Sequence, residues 1–114
     1  MSTPNPTVPV NPKTFTITDT TASAEGVTGM NVKFGRATGG PYTLVAAVPA
    51  ADMATESTGT ITGNIADLES TLAPGDWFAV TTAVNAGGES DPSPEVHFQI
   101  AVPKPNPPSA FAVS

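Results

Sequence analysis

The chain has 114 residues and no cysteine, so it is long enough for one small domain and excludes disulfides, thiolate nucleophiles and cysteine-ligated zinc. Its net charge is −6, from ten acidic and four basic residues, and such a surface repels phosphate groups, which argues against binding nucleic acid or an anionic membrane. No apolar stretch approaches the roughly 20 residues that span a bilayer, and the opening residues MSTPNPTVPV do not resemble a secretory signal peptide, so we expect synthesis in the cytoplasm.

Residues 1–12 form a proline-rich N-terminal arm. Its prolines and valines are Pro4, Pro6, Val8, Pro9, Val10 and Pro12. Proline fixes φ and lacks an amide hydrogen, so the arm favours extended chain. Because an extended segment loses little entropy on docking, we predict that these six residues contact a partner protein. A flexible tail is the alternative.

Between residues 13 and 102 apolar and polar residues alternate, which is the period of a β-strand. The predicted strands are 13–18, 27–36, 42–48, 58–65, 77–85 and 95–102, with a further strand at 7–10 if Pro9 lies at a sheet edge. Residues 49–57 are predicted to form a loop or a short helical turn. Each strand has one apolar face, so two sheets must pack face to face. The sequence therefore predicts an all-β, two-sheet antiparallel sandwich of about seven strands.

The alternation also predicts which side chains face the core. In the strand at 77–85, Phe78 is in phase with Val80, so we predict Phe78 inward and Trp77 outward or covering an edge. In the last strand the predicted inward residues are Val96, Phe98, Ile100 and Val102. Residues 103–114 begin PKPNPP and are predicted to form an extended C-terminal tail.

Two segments resemble a known family. The segment LAPGDWFAVTTAVNAGGES at 72–90 resembles the F-strand region of fibronectin type III domains, and GGPYTLV at 39–45 is similar to the turn between the C and C′ strands in bacterial and phage members. The resemblance covers about residues 13–102. It implies a fibronectin type III, immunoglobulin-like sandwich, and it implies no chemistry.

The sequence departs from the family pattern in three ways. Family members usually carry a tyrosine after the Leu-x-Pro-Gly turn, and its hydroxyl bonds back to the backbone; Trp77 and Phe78 stand there instead, so we expect that bond to be absent. Aligning the segment from Pro74 and from Asn85 gives registers one residue apart, which predicts a β-bulge near Thr81. The usual tryptophan of the B strand is also missing.

No residue pattern predicts catalysis, a metal site or a cofactor. His97 is the sole histidine and is predicted to lie on the outer face of a strand, where it has no metal-ligating partner in sequence. Glu89, Asp91 and Glu95 crowd one turn and offer oxygen ligands for Ca²⁺, but their spacing matches no calcium loop, so a solvated acidic turn is the favoured interpretation.

The resemblance implies a non-catalytic structural or interaction protein. Small fibronectin-like and immunoglobulin-like proteins decorate the virions of tailed bacteriophages, so we predict a virion decoration or minor structural protein. Its partners would be protein: major capsid or tail subunits, and a second copy of the chain as a further candidate. The alternatives are a carbohydrate-binding or adhesive module, with Trp77 and Tyr42 as an exposed aromatic pair that stacks a sugar, and a spacer domain of a larger protein.

Overall fold

A computed structural model describes residues 8–22, 24–57 and 59–113. It contains seven strands and two short helices in these ranges. The strands are β1 (Thr14–Thr18), β2 (Gly29–Gly35), β3 (Leu44–Ala47), β4 (Thr60–Asn64), β5 (Gly75–Asn85), β6 (Gly88–Glu89) and β7 (Val96–Ile100); the helices are α1 (Ala50–Met53) and α2 (Ile65–Leu68).

The strands form two antiparallel sheets. One contains β1 and β4, and the other contains β3, β2 and β5 in that order, with both β6 and β7 pairing along the far edge of β5. Apolar side chains of both sheets meet in one core, so the prediction of an all-β sandwich is confirmed. Among the described residues, no helix is long and apolar enough to cross a membrane.

All six long strands predicted from the alternation are present, with ends that shift by up to two residues. The predicted loop or helical turn at 49–57 contains α1. The helix α2 was not predicted; the backbone amide of Asn64 donates to the Asp67 carboxylate at 3.3 Å, a local bond that favours a helical turn where the predicted strand ends, at residue 65.

The first residue of the predicted strand at 7–10 lies outside the described residues, and residues 8–10 form a single parallel bridge, between Val10 and Gln99. The Gln99 amide donates to the Pro9 carbonyl at 2.8 Å, and the Asn11 amide donates to the Gln99 carbonyl at 2.8 Å. Proline at position 9 offers only its carbonyl, so the arm follows the edge of β7 without a continuous ladder.

The core lies between the two sheets. Its most buried side chains are Met30, Phe34 and Ile61, which are 2–3% exposed. Phe34 packs edge-on against Trp77 at 6.4 Å and against Phe98 at 6.3 Å between ring centroids. These aromatic contacts join β2, β5 and β7 at the centre of the sandwich.

The predicted orientation of β5 is wrong. Trp77 is buried in the core, in phase with Ala79, whereas Phe78 lies on the opposite face and stacks on His97 at 4.4 Å. Both faces of this strand carry apolar side chains, so its alternation does not distinguish the core face from the outer face. The core face is decided by the fit of Trp77 between Phe34 and the turn before β5.

The predicted β-bulge is also absent. The ladder between β2 and β5 runs without interruption from Gly29 with Val84 to Gly35 with Phe78. Irregularity occurs on the other edge of β5, where the hydroxyls of Ser93 and Ser90 accept from the amides of Thr81 and Ala83 at 2.9 Å each. Serine side chains therefore satisfy the backbone of β5 between β6 and β7.

Two residues predicted to face the core are largely exposed. Val96 lies on the core face of β7 opposite Ala79, but beside a gap between β1 and β7. Val96 is 58% exposed and Val102 is 78% exposed. The last strand ends at Ile100, and residue 103 begins the proline-rich tail, so Val102 has no opposing sheet to cover it.

Candidate interaction surfaces

Trp77 is fixed by the turn that precedes β5. Its indole N–H donates to the Ala73 carbonyl at 2.8 Å, and the Arg36 guanidinium lies 4.3 Å from the centre of its ring. Arg36 also donates to the Pro74 carbonyl at 2.9 Å. The indole thus makes a bond back to the backbone of the kind a tyrosine hydroxyl makes in the family pattern.

Tyr42 lies at a different place, in the segment that joins β2 and β3. Its hydroxyl donates to the Glu95 carboxylate, which also accepts from the Gly39 amide at 2.8 Å. The hydrogen bond from Tyr42 lowers the pKa of Glu95, and the same bond raises the pKa of Tyr42. Because Trp77 is buried, the two aromatics do not form the exposed pair predicted for stacking a sugar.

The outer face of the five-stranded sheet carries a polar network around Glu89. Its carboxylate accepts from Lys33 at 2.8 Å, from Asn31 at 3.0 Å and from the hydroxyl of the buried Thr82 at 2.8 Å. The bond from Lys33, followed by those from Asn31 and Thr82, lowers the pKa of Glu89 from 4.5 to about 2. The network joins β2, β5 and β6 on the face opposite the core.

We expect this network to make stability depend on pH in a defined window. The folded pKa of Glu89 is below its ordinary value. Its contribution to the free energy of unfolding is therefore complete above about pH 4.5 and is lost as the pH falls toward about 2. In Glu89→Gln, the urea concentration at the midpoint of unfolding should therefore fall less between these two pH values than it does in the parent chain. Glu56→Gln, at an exposed carboxylate after α1, is the control, and an equal flattening in both variants would contradict the assignment.

A second polar cluster lies on the same face around His97. Its Nε2 lies 2.9 Å from the Asp76 carboxylate, which also accepts from Gln99 at 2.8 Å. The Gln99 bond, and after it the His97 bond, lowers the pKa of Asp76. Phe78 covers the imidazole on one side. The outer-face position predicted for His97 is confirmed.

The acidic turn does not assemble into a calcium site. Glu89 faces Lys33, Glu95 faces Tyr42, and Asp91 is exposed. In the described ranges, no group of three histidine, aspartate or glutamate side chains is placed to hold a metal ion.

One acidic pair lies between the two short helices. The Asp52 Oδ2 atom is buried and has no hydrogen-bond partner within the described residues. Burial, followed by the neighbouring Asp67 carboxyl, raises the pKa of Asp52. A Cβ at Gly63 would lie 2.6 Å from this oxygen, so glycine at this position leaves room for the carboxyl, and the pair is part of the packing of α1 on β4.

The predicted contact residues of the N-terminal arm divide into two groups. Pro4 and Pro6 lie outside the described residues. Val8 and Pro12 are half-buried, Pro9 is exposed, and Val10 is 54% exposed. The bonds of residues 9 and 11 to β7 hold this part of the arm against its own sheet, with the Val10 side chain open to solvent.

An apolar groove that the sequence did not reveal opens between β1 and β7. Its cavity has a volume of about 330 Å³. The apolar lining comes from both sheets and includes Phe15, Ile17, Val32, Phe34, Val96 and Phe98. Such a groove depends on the distance between two sheet edges, and the order of residues along the chain carries no signal for that distance.

The C-terminal tail is the most exposed apolar segment described. Phe111 is 92% exposed and Val113 is 85% exposed. Residues 101–113 contain no strand or helix. Of the described apolar side chains, those of this tail are thus the ones left most fully open to contact.

No family model matches this chain, and no curated protein or solved structure matches it.

Proposed function

We propose that this chain is a fibronectin type III-like sandwich that serves as a non-catalytic structural protein and docks on a protein shell, as a decoration or minor structural protein of a bacteriophage virion. The segment that resembles the F strand forms β5, and the segment similar to the C–C′ turn joins β2 to β3. These placements support the family resemblance.

One observation carries the proposal. Among the described residues, six large apolar side chains are exposed, and four of them lie outside the seven strands, in the arm and tail: Val10, Val102, Phe111 and Val113. Polar side chains of the outer sheet face are instead bonded to one another in the Glu89 and Asp76 clusters. A domain whose apolar contacts are offered by extended ends is suited to docking along another protein.

The first test is the presence of the chain in purified virions, in hundreds of copies for each particle. Val10→Asp should reduce binding to particles that lack the chain at least tenfold in a co-sedimentation assay, because it places a charge on an exposed apolar side chain of the arm. The backbone bonds of Pro9 and Asn11 to Gln99 do not involve this side chain, so thermal melting should be unchanged.

The control is the full chain with Val45→Ala, at an exposed residue of β3 remote from the arm. Absence of the chain from virions would overturn the shell proposal. Full binding by the Val10→Asp chain would show that the arm does not dock through its exposed apolar side chain.

A further inference from the structure

One edge of the strand β1 has no partner strand among the described residues and is called its free edge. The Ile65 amide donates to the Lys13 carbonyl at 2.8 Å, and the Asp19 amide donates to the Gly59 carbonyl at 2.7 Å. Because bonded and non-bonded pairs alternate in an antiparallel ladder, the peptide groups of Thr14, Thr16 and Thr18 point away from β4. Within residues 8–22, 24–57 and 59–113, no strand pairs with that edge.

This edge borders the apolar groove. Thr14, Thr16 and Thr18 lie along its rim, and Val96 of β7 lies on the other side. The floor is formed by core side chains, including Phe34 and Phe98. An added strand would therefore find unpaired peptide groups on β1 and an apolar pocket for alternate side chains, which are the two requirements of recognition by strand addition.

The tail of the chain has the pattern of such a strand. Residues 109–113 read SAFAV, so Phe111 and Val113 share one face at a spacing of two. Both side chains are almost fully exposed. The tail from residue 101 onward carries Lys104 and no acidic residue, whereas the rest of the chain has ten acidic and three basic residues, so the charges of tail and body are complementary.

The spacer before this segment is stiff and exposed. Residues 101–108 include four prolines and extend by about 3.1 Å per residue as a semi-rigid segment. All residues from 101 to 113 are exposed, with no strand or helix. A stiff, exposed spacer favours contact with another molecule over a fold back onto β1.

We propose that residues 109–113 of one copy add as a strand to the free edge of β1 in a second copy, with Phe111 and Val113 entering the apolar groove. The contact is heterologous, so it produces rings or open chains of sandwiches. It is independent of the proposed shell, because donor and acceptor are both segments of this chain.

The test combines self-association with binding of the tail in trans. The full chain should show a mass in sedimentation equilibrium that rises with concentration above 11.5 kDa, and Phe111→Asp should remain monomeric. A fluorescent peptide of residues 101–114 should bind the Phe111→Asp chain, whose own tail does not compete. The same peptide carrying Phe111→Asp should bind at least tenfold more weakly.

Two acceptor variants and one control identify the edge. Thr16→Pro removes an amide that points to the free edge of β1 and should abolish peptide binding. Val96→Asp places a charge at the exposed rim of the groove and should weaken binding at least tenfold, which keeps the test valid if Thr16→Pro does not fold. Val45→Pro, at the free edge of β3, should bind the peptide as tightly as the chain without this substitution does.

Several results would overturn the proposal. These are a chain that is monomeric at all concentrations, self-association that persists in Phe111→Asp, and peptide binding that survives both Thr16→Pro and Val96→Asp. Loss of binding in Val45→Pro alone would assign the tail to β3 instead. Monomeric protein that is still found in virions would overturn this inference and leave the shell proposal standing.

Discussion

Trp77→Ala is expected to lower the free energy of unfolding by about 3–5 kcal/mol, the range for truncation of a buried large aromatic residue. The indole packs edge-on against Phe34, lies under the Arg36 guanidinium and bonds to the Ala73 carbonyl. The substitution therefore leaves a cavity in the core and removes the shorter of the two hydrogen bonds to the Ala73 carbonyl, which keeps the 3.5 Å bond from Arg36. A domain of this size has a total stability of about 5–15 kcal/mol, so the loss is large, and equilibrium urea unfolding measures it.

Phe78→Ala is the matched control for Trp77→Ala. Phe78 is the next residue of β5, but it is half-buried on the outer face against His97. Its truncation should therefore lower the free energy of unfolding clearly less than Trp77→Ala does. The loss of unfolding free energy in Trp77→Phe should lie between the losses in Phe78→Ala and Trp77→Ala. The phenyl ring keeps most of the apolar contact, but a hydrogen bond worth about 1 kcal/mol is lost. A larger loss for Phe78→Ala than for Trp77→Ala would contradict the orientation of β5 described above.

Gly35→Ala is expected to destabilise the fold by about 1–3 kcal/mol, the range for overpacking a well-filled site. A Cβ at this position would lie 2.5 Å from the Pro41 carbonyl oxygen and 3.1 Å from the Tyr42 ring. The nearest obstacle is backbone, which moves only if the whole segment between β2 and β3 shifts. Thermal unfolding of the variant, followed by circular dichroism, measures the effect.

Gly29→Ala is the control at the other end of the same strand. A Cβ at Gly29 meets no atom within 4 Å, so the substitution should be neutral or stabilise by up to about 1 kcal/mol through the loss of chain entropy in the unfolded state. Equal destabilisation by the two alanines would show that close packing at Gly35 is not the cause.

The sequence predicted the class of fold because its strand signal does not depend on distant contacts. Val32 and Phe34 of β2 alternate with Asn31 and Lys33, and the structure buries the first pair and bonds the second to Glu89. One apolar face per strand requires an opposing layer. The candidate surfaces were less predictable, since the groove beside β1 lies between strands that are far apart in the chain.

The errors share a physical cause. Trp77 and Phe78 are adjacent and both apolar, so either one satisfies the local pattern, and the choice depends on the shape left by Phe34 and on an acceptor at Ala73. The tyrosine hydroxyl bond is absent, as expected, but the indole N–H of Trp77 donates to the Ala73 carbonyl, a bond that the sequence analysis did not consider. The local alternation of apolar and polar residues carries no information about the space beside Phe34 or about the Ala73 carbonyl as an acceptor.

By itself, the sequence determined an all-β sandwich with proline-rich ends, since period-two alternation and the fixed φ of proline act locally. Only the tertiary structure decided which aromatic of β5 enters the core, which different partners bind Glu89 and Glu95, and where a sheet edge stays open. These features depend on contacts between residues that are distant in the chain, such as Asn31 with Glu89 and Tyr42 with Glu95. Such distances are set when the two sheets pack against each other.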